Sequence, residues 1–146
     1  MPAEYQANGL SFAYPENWHL EETELGEGEH TVHLSSPKGA FWMVTVSSSA
    51  KSSPDELAQK ALKAMLSEYE RVDHTPVERV IGKYKLTGYE MDFIYFDLVN
   101  TALILSFSTG DRTIAIYWQA DDQQLDICQD VFEAITFTLL DRLSAS

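Results

Sequence analysis

The side chains here that could do chemistry are four histidines, one cysteine and 23 carboxylates. His30 and His33 lie close to Glu27 and Glu29, a spacing that would gather metal ligands on a helix. The local pattern is that of a strand, and strand residues three apart point to opposite faces. Glu29 and His33 share a face but stand about 13 Å apart, at about 3.3 Å per residue. One ion cannot be chelated by that pair alone, so no metal is expected. His19 and His74 have no partner readable from the sequence. Cys128 sits inside an apolar stripe, three residues after Leu125 and four before Phe132. A free cysteine in such a place packs as a small hydrophobe, and a buried thiol is inert.

The carboxylates are too many to single out a pair by spacing. Glu90 and Asp92 alternate with apolar residues, as the wet face of a strand does. The chain holds no Gly-x-Ser-x-Gly elbow, phosphate-binding glycine loop, His-Glu-x-x-His helix or Cys-x-x-Cys pair. No enzyme and no cofactor is therefore expected. One charged cluster remains. Glu21, Glu22, Glu24, Glu27 and Glu29 occupy five of nine positions on a first hairpin. Blunting of an edge strand against sheet-to-sheet pairing explains them; the functional alternative is an acidic ridge on which a partner docks.

The elements that must position these groups follow from periodicity. Ser11–Tyr14, Trp18–Leu25, His30–Ser35 and Phe41–Ser48 read as strands, separated by turns at Pro15-Glu16-Asn17, Gly26-Glu27-Gly28 and Pro37-Lys38-Gly39. Ser53 is a natural N-cap, Pro54 suits the first helical position, and Glu56 completes a capping box. Leu57, Ala58, Ala61, Leu62, Met65, Leu66 and Tyr69 then share one face, which predicts a helix ending near Arg71. Strands resume near Thr75. Tyr89, Met91, Phe93 and Tyr95 alternate with acids, and beyond Phe93 both faces turn apolar. Leu103, Leu105 and Phe107 make a further strand, joined through Thr109-Gly110-Asp111-Arg112 to Ile114, Ile116 and Trp118. A second helix starts at Asp121 or Asp122 and runs to about Leu140, with the stripe Leu125, Cys128, Phe132, Ile135 and Leu139. The short connections predict an α+β domain spanning 1–146, with a largely antiparallel sheet of six to seven strands. Strands apolar on both faces, such as Phe41–Ser48, require cover on both sides, which two amphipathic helices can supply.

Gly9-Leu10-Ser11-Phe12-Ala13-Tyr14-Pro15-Glu16-Asn17-Trp18 resembles the opening of the PsbP-like superfamily, where an apolar strand runs into Pro-x-x-Trp. Ser53-Pro54-Asp55-Glu56-Leu57, the Gly82 region, Ile116-Tyr117-Trp118-Gln119-Ala120 and Ile135-Thr136-Phe137 continue the likeness, from about Gly9 to Leu140. The superfamily includes the PsbP subunit of the oxygen-evolving complex, the Ran-binding Mog proteins and adaptor chaperones of type VI secretion. The resemblance implies an antiparallel sheet between helices and a habit of binding other proteins. It implies no shared chemistry. Within the Tyr14-Pro15-x-x-Trp18 stretch, Pro15 fixes a turn and Trp18 packs the chain onto the core.

A formal charge of −13 repels phosphate backbones and anionic lipid, which disfavours nucleic acid and membrane surfaces. No stretch nears the roughly 20 apolar residues that span a bilayer. One cysteine precludes an internal disulfide and fits a reducing compartment. Met1-Pro2-Ala3-Glu4-Tyr5-Gln6 lacks a basic then apolar leader, so a cytoplasmic location is expected. The sequence thus reads as a non-enzymatic, protein-binding adaptor or accessory module whose partner is another protein, basic by complementarity. The alternative is a small-molecule binder or hydrolase with a site between sheet and helix.

Overall fold

A computed structural model of the chain describes residues 2–24, 26, 28–48 and 53–145. Nine strands and two helices follow one another along them: β1 (Pro2–Ala7), β2 (Leu10–Pro15), β3 (His19–Glu24), β4 (His30–Ser35), β5 (Phe41–Ser48), α1 (Pro54–Glu68), β6 (Val72–Ile81), β7 (Tyr84–Tyr95), β8 (Leu98–Thr109), β9 (Arg112–Asp121) and α2 (Asp122–Ala145). Seven strands form one sheet in the order β3-β4-β5-β9-β8-β7-β6, and β1 with β2 forms a separate two-stranded hairpin. Every neighbouring pair is antiparallel.

The large sheet is covered on both faces. Trp42, Val44, Leu103, Leu105, Ile114, Ile116 and Trp118 point to one side, where Phe132, Ile135 and Leu139 of α2 meet them. The β1–β2 hairpin adds Tyr5, Leu10 and Phe12 to this larger core. On the other side Ala58 and Leu62 of α1 pack on Met91, Phe93, Ala102 and Ile104. Strands that alternate apolar residues on both faces are thus buried on both, as for a sheet between layers.

Helix α1 begins as its capping residues require. Ser53 is extended, its hydroxyl accepts from the Glu56 N–H at 3.2 Å, and Pro54 occupies the first turn. It stops at Glu68, before the expected Arg71, because Tyr69 turns to extended backbone and lays its ring on Phe93, 4.4 Å between centroids. The Asp121 carboxylate caps α2, accepting from the backbone N–H groups of Gln123 and Gln124 at 2.9 Å each. This helix runs past Leu140, since Leu143 is also buried.

Three departures from the expected strands have local causes. β1 precedes the first expected strand and pairs with β2 through a turn at Asn8 and Gly9, both at positive φ. β6 starts at Val72 rather than Thr75, because Val72 is buried against α1. The third is a turn within the apolar run after Phe93: Phe96 and Asp97, at φ 52° and 61°, form the apex between β7 and β8.

Candidate functional site

The acidic hairpin is where the sequence places it, with β3 on one edge of the sheet. The three glutamates of β3 do not share one face. Register pairs Glu22 with Val32 and Glu24 with His30, on the face that Val32 buries, whereas Glu21 pairs with His33 on the opposite face. Glu21 lies 3.1 Å from the His19 ring at the surface. Glu24 is exposed, Glu29 is half-buried, and Glu27 lies outside the described residues.

Glu22 has an internal role. Its carboxylate accepts from the Tyr5 hydroxyl of the β1–β2 hairpin, and His30 Nε2 stands 3.4 Å away. The Asn8 amide donates to the Tyr5 hydroxyl at 3.3 Å and lies 3.1 Å from His30 Nε2. This group ties the small hairpin to the edge of the large sheet. His30 Nδ1 is buried without a partner among the described residues. Burial, then the bond to Glu22, pushes the Tyr5 phenol up to about 12, because both disfavour a second negative charge.

Unequal effects of neighbouring glutamates follow. Glu22→Gln is expected to cost about 1 kcal/mol by losing a charged acceptor for a buried hydroxyl. Glu21→Gln should shift thermal unfolding hardly at all. The folded-state pKa of Tyr5 exceeds its ordinary value of 10.0. Its stabilisation is therefore complete below pH 10 and lost as pH rises from 10 towards 12. Alkaline titration of tyrosinate absorbance checks the value, and equal costs for the two glutamine variants would refute the tie.

The other candidates fall into the core or apart. Cys128 is 4% exposed, and burial, followed by the charge of Asp121, holds its thiol above the usual range. Trp18 and Trp118 are buried, each ring against Phe132. His30 and His33 point to opposite faces, as their spacing dictates. Among the described residues no three His, Cys, Asp or Glu side chains converge on a point. His33 instead stacks on Phe41, which stacks on Tyr117. Burial lowers the His33 pKa and raises that of Tyr117.

Between sheet and helix, a groove of about 480 Å³ runs between the end of β6 and α2, lined by Val80, Ile81, Trp118 and Phe137, with Arg79 and Glu133 as its ionisable groups. A second, of about 530 Å³, lies between β2 and α2 and is lined by Tyr14, Pro15, Val131 and Ile135, with Glu16 and Asp130 as its ionisable groups. Both are open and mainly apolar. Neither aims a set of polar groups at one point, as a site for a specific small ligand does. Among the described residues no helix is long and apolar enough to cross a membrane.

The tip of the β7–β8 hairpin is a feature that sequence reasoning missed. Ile94, Tyr95, Phe96 and Val99 are exposed there together, with Phe96 at 80%. The run from Phe93 to Leu98, apolar except for Asp97, reads as strand, and no Gly or Asn marks the turn.

No family model matches the chain, and no curated protein matches it in sequence. Solved structures do match. The cyanobacterial PsbP, CyanoP, of Synechocystis superposes with a TM-score of 0.64 at 12% identity over 94% of this chain and 90% of that one. A protein of Bacteroides thetaiotaomicron gives 0.56 at 16% identity over 92% of this chain, which spans 46% of that one. LpqN of Mycobacterium tuberculosis, involved in cell envelope biogenesis, gives 0.51 at 10% identity over 92% of this chain and 86% of that one. At such identities the likeness is one of fold.

Proposed function

We propose that this chain, with its PsbP-like fold, is a non-enzymatic adaptor or accessory module that binds another protein in the cytoplasm. The observation that carries the reading is where its polar chemistry lies. Both faces of the sheet are filled with packed apolar side chains. Among the described residues no Asp, Glu, Lys, Arg or His is fully buried, and Glu22 serves to tie elements together through Tyr5. A general acid or base needs a cleft that shifts its pKa and a second group within reach. Arg79 and Glu133 line a groove that is open to solvent rather than a closed cleft. The lone cysteine fits a reducing compartment.

The test is affinity capture from the source cell with quantitative mass spectrometry, alongside a thermal-shift screen of metabolites. One protein recovered near stoichiometry, with no metabolite stabilising the chain, is the expected outcome. A metabolite that raises the melting temperature, with no protein enriched over a charge-matched control, would sink the proposal.

A further inference from the structure

The tip of the β7–β8 hairpin is apolar on both faces. Ile94 and Val99 are register partners and share one face. Tyr95 lies on the other, its ring 5.8 Å from Tyr69, which follows α1. Phe96 caps the end, 4.3 Å from the Tyr95 ring. Exposed Leu66 on the last turn of α1 is a further apolar side chain near this end.

The fold does not need this arrangement. Two consecutive residues at positive φ make a turn that favours Asn-Gly. A bulky side chain in that conformation is a genuine outlier. Phe96 takes it while exposing most of its surface, so it contributes little burial in return. Contiguous exposed apolar groups on a monomer mark an interaction site, and interface hot spots are rich in such aromatics.

The charges around the tip indicate what covers it. Glu68 and Glu70 flank Tyr69, Glu90 and Asp92 precede Ile94 on its own face, and Asp97 adjoins Phe96. Arg71, a cation next to Glu70, lies 3.5 Å from Asp73. A second copy would bring the same acids against them, and anionic lipid would be repelled in the same way.

We infer that the β7–β8 tip inserts into an apolar pocket of a partner protein, a pocket rimmed by lysine or arginine. This rests on the protein-binding reading and adds the surface and the chemistry of its counterpart. The experiment places photoreactive benzoylphenylalanine at position 96 in the full chain and irradiates the source cells. The expected adduct is one protein, linked through a peptide that lines an apolar pocket flanked by basic residues. An adduct with lipid, with another copy of this chain, with a pocket lacking basic residues, or no adduct at all would overturn it. A captured partner that fails to cross-link at position 96 would leave the protein-binding reading standing and remove only this surface. The double substitution Phe96→Asn with Asp97→Gly keeps the hairpin. It should raise the melting temperature by about 2–4 °C, as relief of turn strain in a chain of this size would. It should also weaken partner binding at least tenfold. A lowered melting temperature would show that Phe96 serves the fold, and unchanged binding would exclude the tip.

Discussion

Gly88→Ala should lower stability by about 3 kcal/mol, the upper end of what overpacking costs, and bring the melting temperature down by about 6–12 °C. A Cβ at position 88 would sit 1.6 Å from the Ile104 carbonyl oxygen and 2.6 Å from its carbon. Those are backbone atoms of β8, so no side-chain rotation relieves the clash. The close approach comes where the pairing of β7 with β8 ends. β7 pairs with β6 from Tyr84 through Phe93, but with β8 only from Thr87 onward. There β7 leaves β8, and Tyr84 and Leu86 reach the larger core, Tyr84 lying 5.1 Å from Phe107. Glycine allows the two backbones to meet at the point of departure. Urea unfolding with an unchanged slope would give the loss directly. A loss under about 1 kcal/mol would mean that β7 and β8 separate freely at this point and that the interpretation of the bend is wrong.

Phe132→Ala should be costlier, about 4 kcal/mol, within the range for emptying a fully buried aromatic site. Phe132 is 0% exposed and stands between two indoles, its ring stacked on Trp118 at 5.6 Å and edge-on to Trp18 at 5.9 Å. It thereby joins α2, strand β9 and the turn after β2 at one point. The cavity is hard to refill, because its neighbours are rigid rings and Trp42 is held by its Nε1–H bond to Thr136 at 2.9 Å. Native stabilities lie at about 5–15 kcal/mol, so this change alone takes a large share. Tryptophan emission should shift to the red in the folded variant as water reaches Trp18 and Trp118. A variant with unshifted emission and a melting temperature within about 3 °C of the wild type would contradict this packing.

These two sites differ in how far the sequence announces them. Phe132 falls on the stripe with Cys128, Ile135 and Leu139, so its burial follows from spacing along one helix. Gly88 lies in a run that reads as ordinary strand, and nothing local says that β8 passes so close. The two tight hairpins show the same contrast. Asn8-Gly9 is a pair that favours positive φ, and a turn forms there; the strand before it is hard to see because Tyr5 is its one large apolar residue. Phe96-Asp97 adopts the same conformation with a bulky aromatic at its first position, and of the two only Asp97 is a residue that turns favour. There the pairing of two twelve-residue strands selects the bend against local preference.

By itself the sequence determined the elements whose causes lie within a few residues. The Ser53 cap, the stripes of α1 and α2, the alternation in β4 and β5, and the opposite directions of His30 and His33 all arise from helix or strand periodicity. The tertiary structure alone decided which of these surfaces meet. Glu21, Glu22 and Glu24 are neighbours in sequence, yet register puts Glu21 on one face and gives Glu22 to Tyr5. Ile94, Phe96 and Val99 are as apolar as the core, yet they stand exposed beyond the part of the sheet that the helices bury. The physical reason is the same for both. A side chain's face is local, but what lies opposite that face depends on register and on how far each covering element extends, and those are set by contacts distant along the chain.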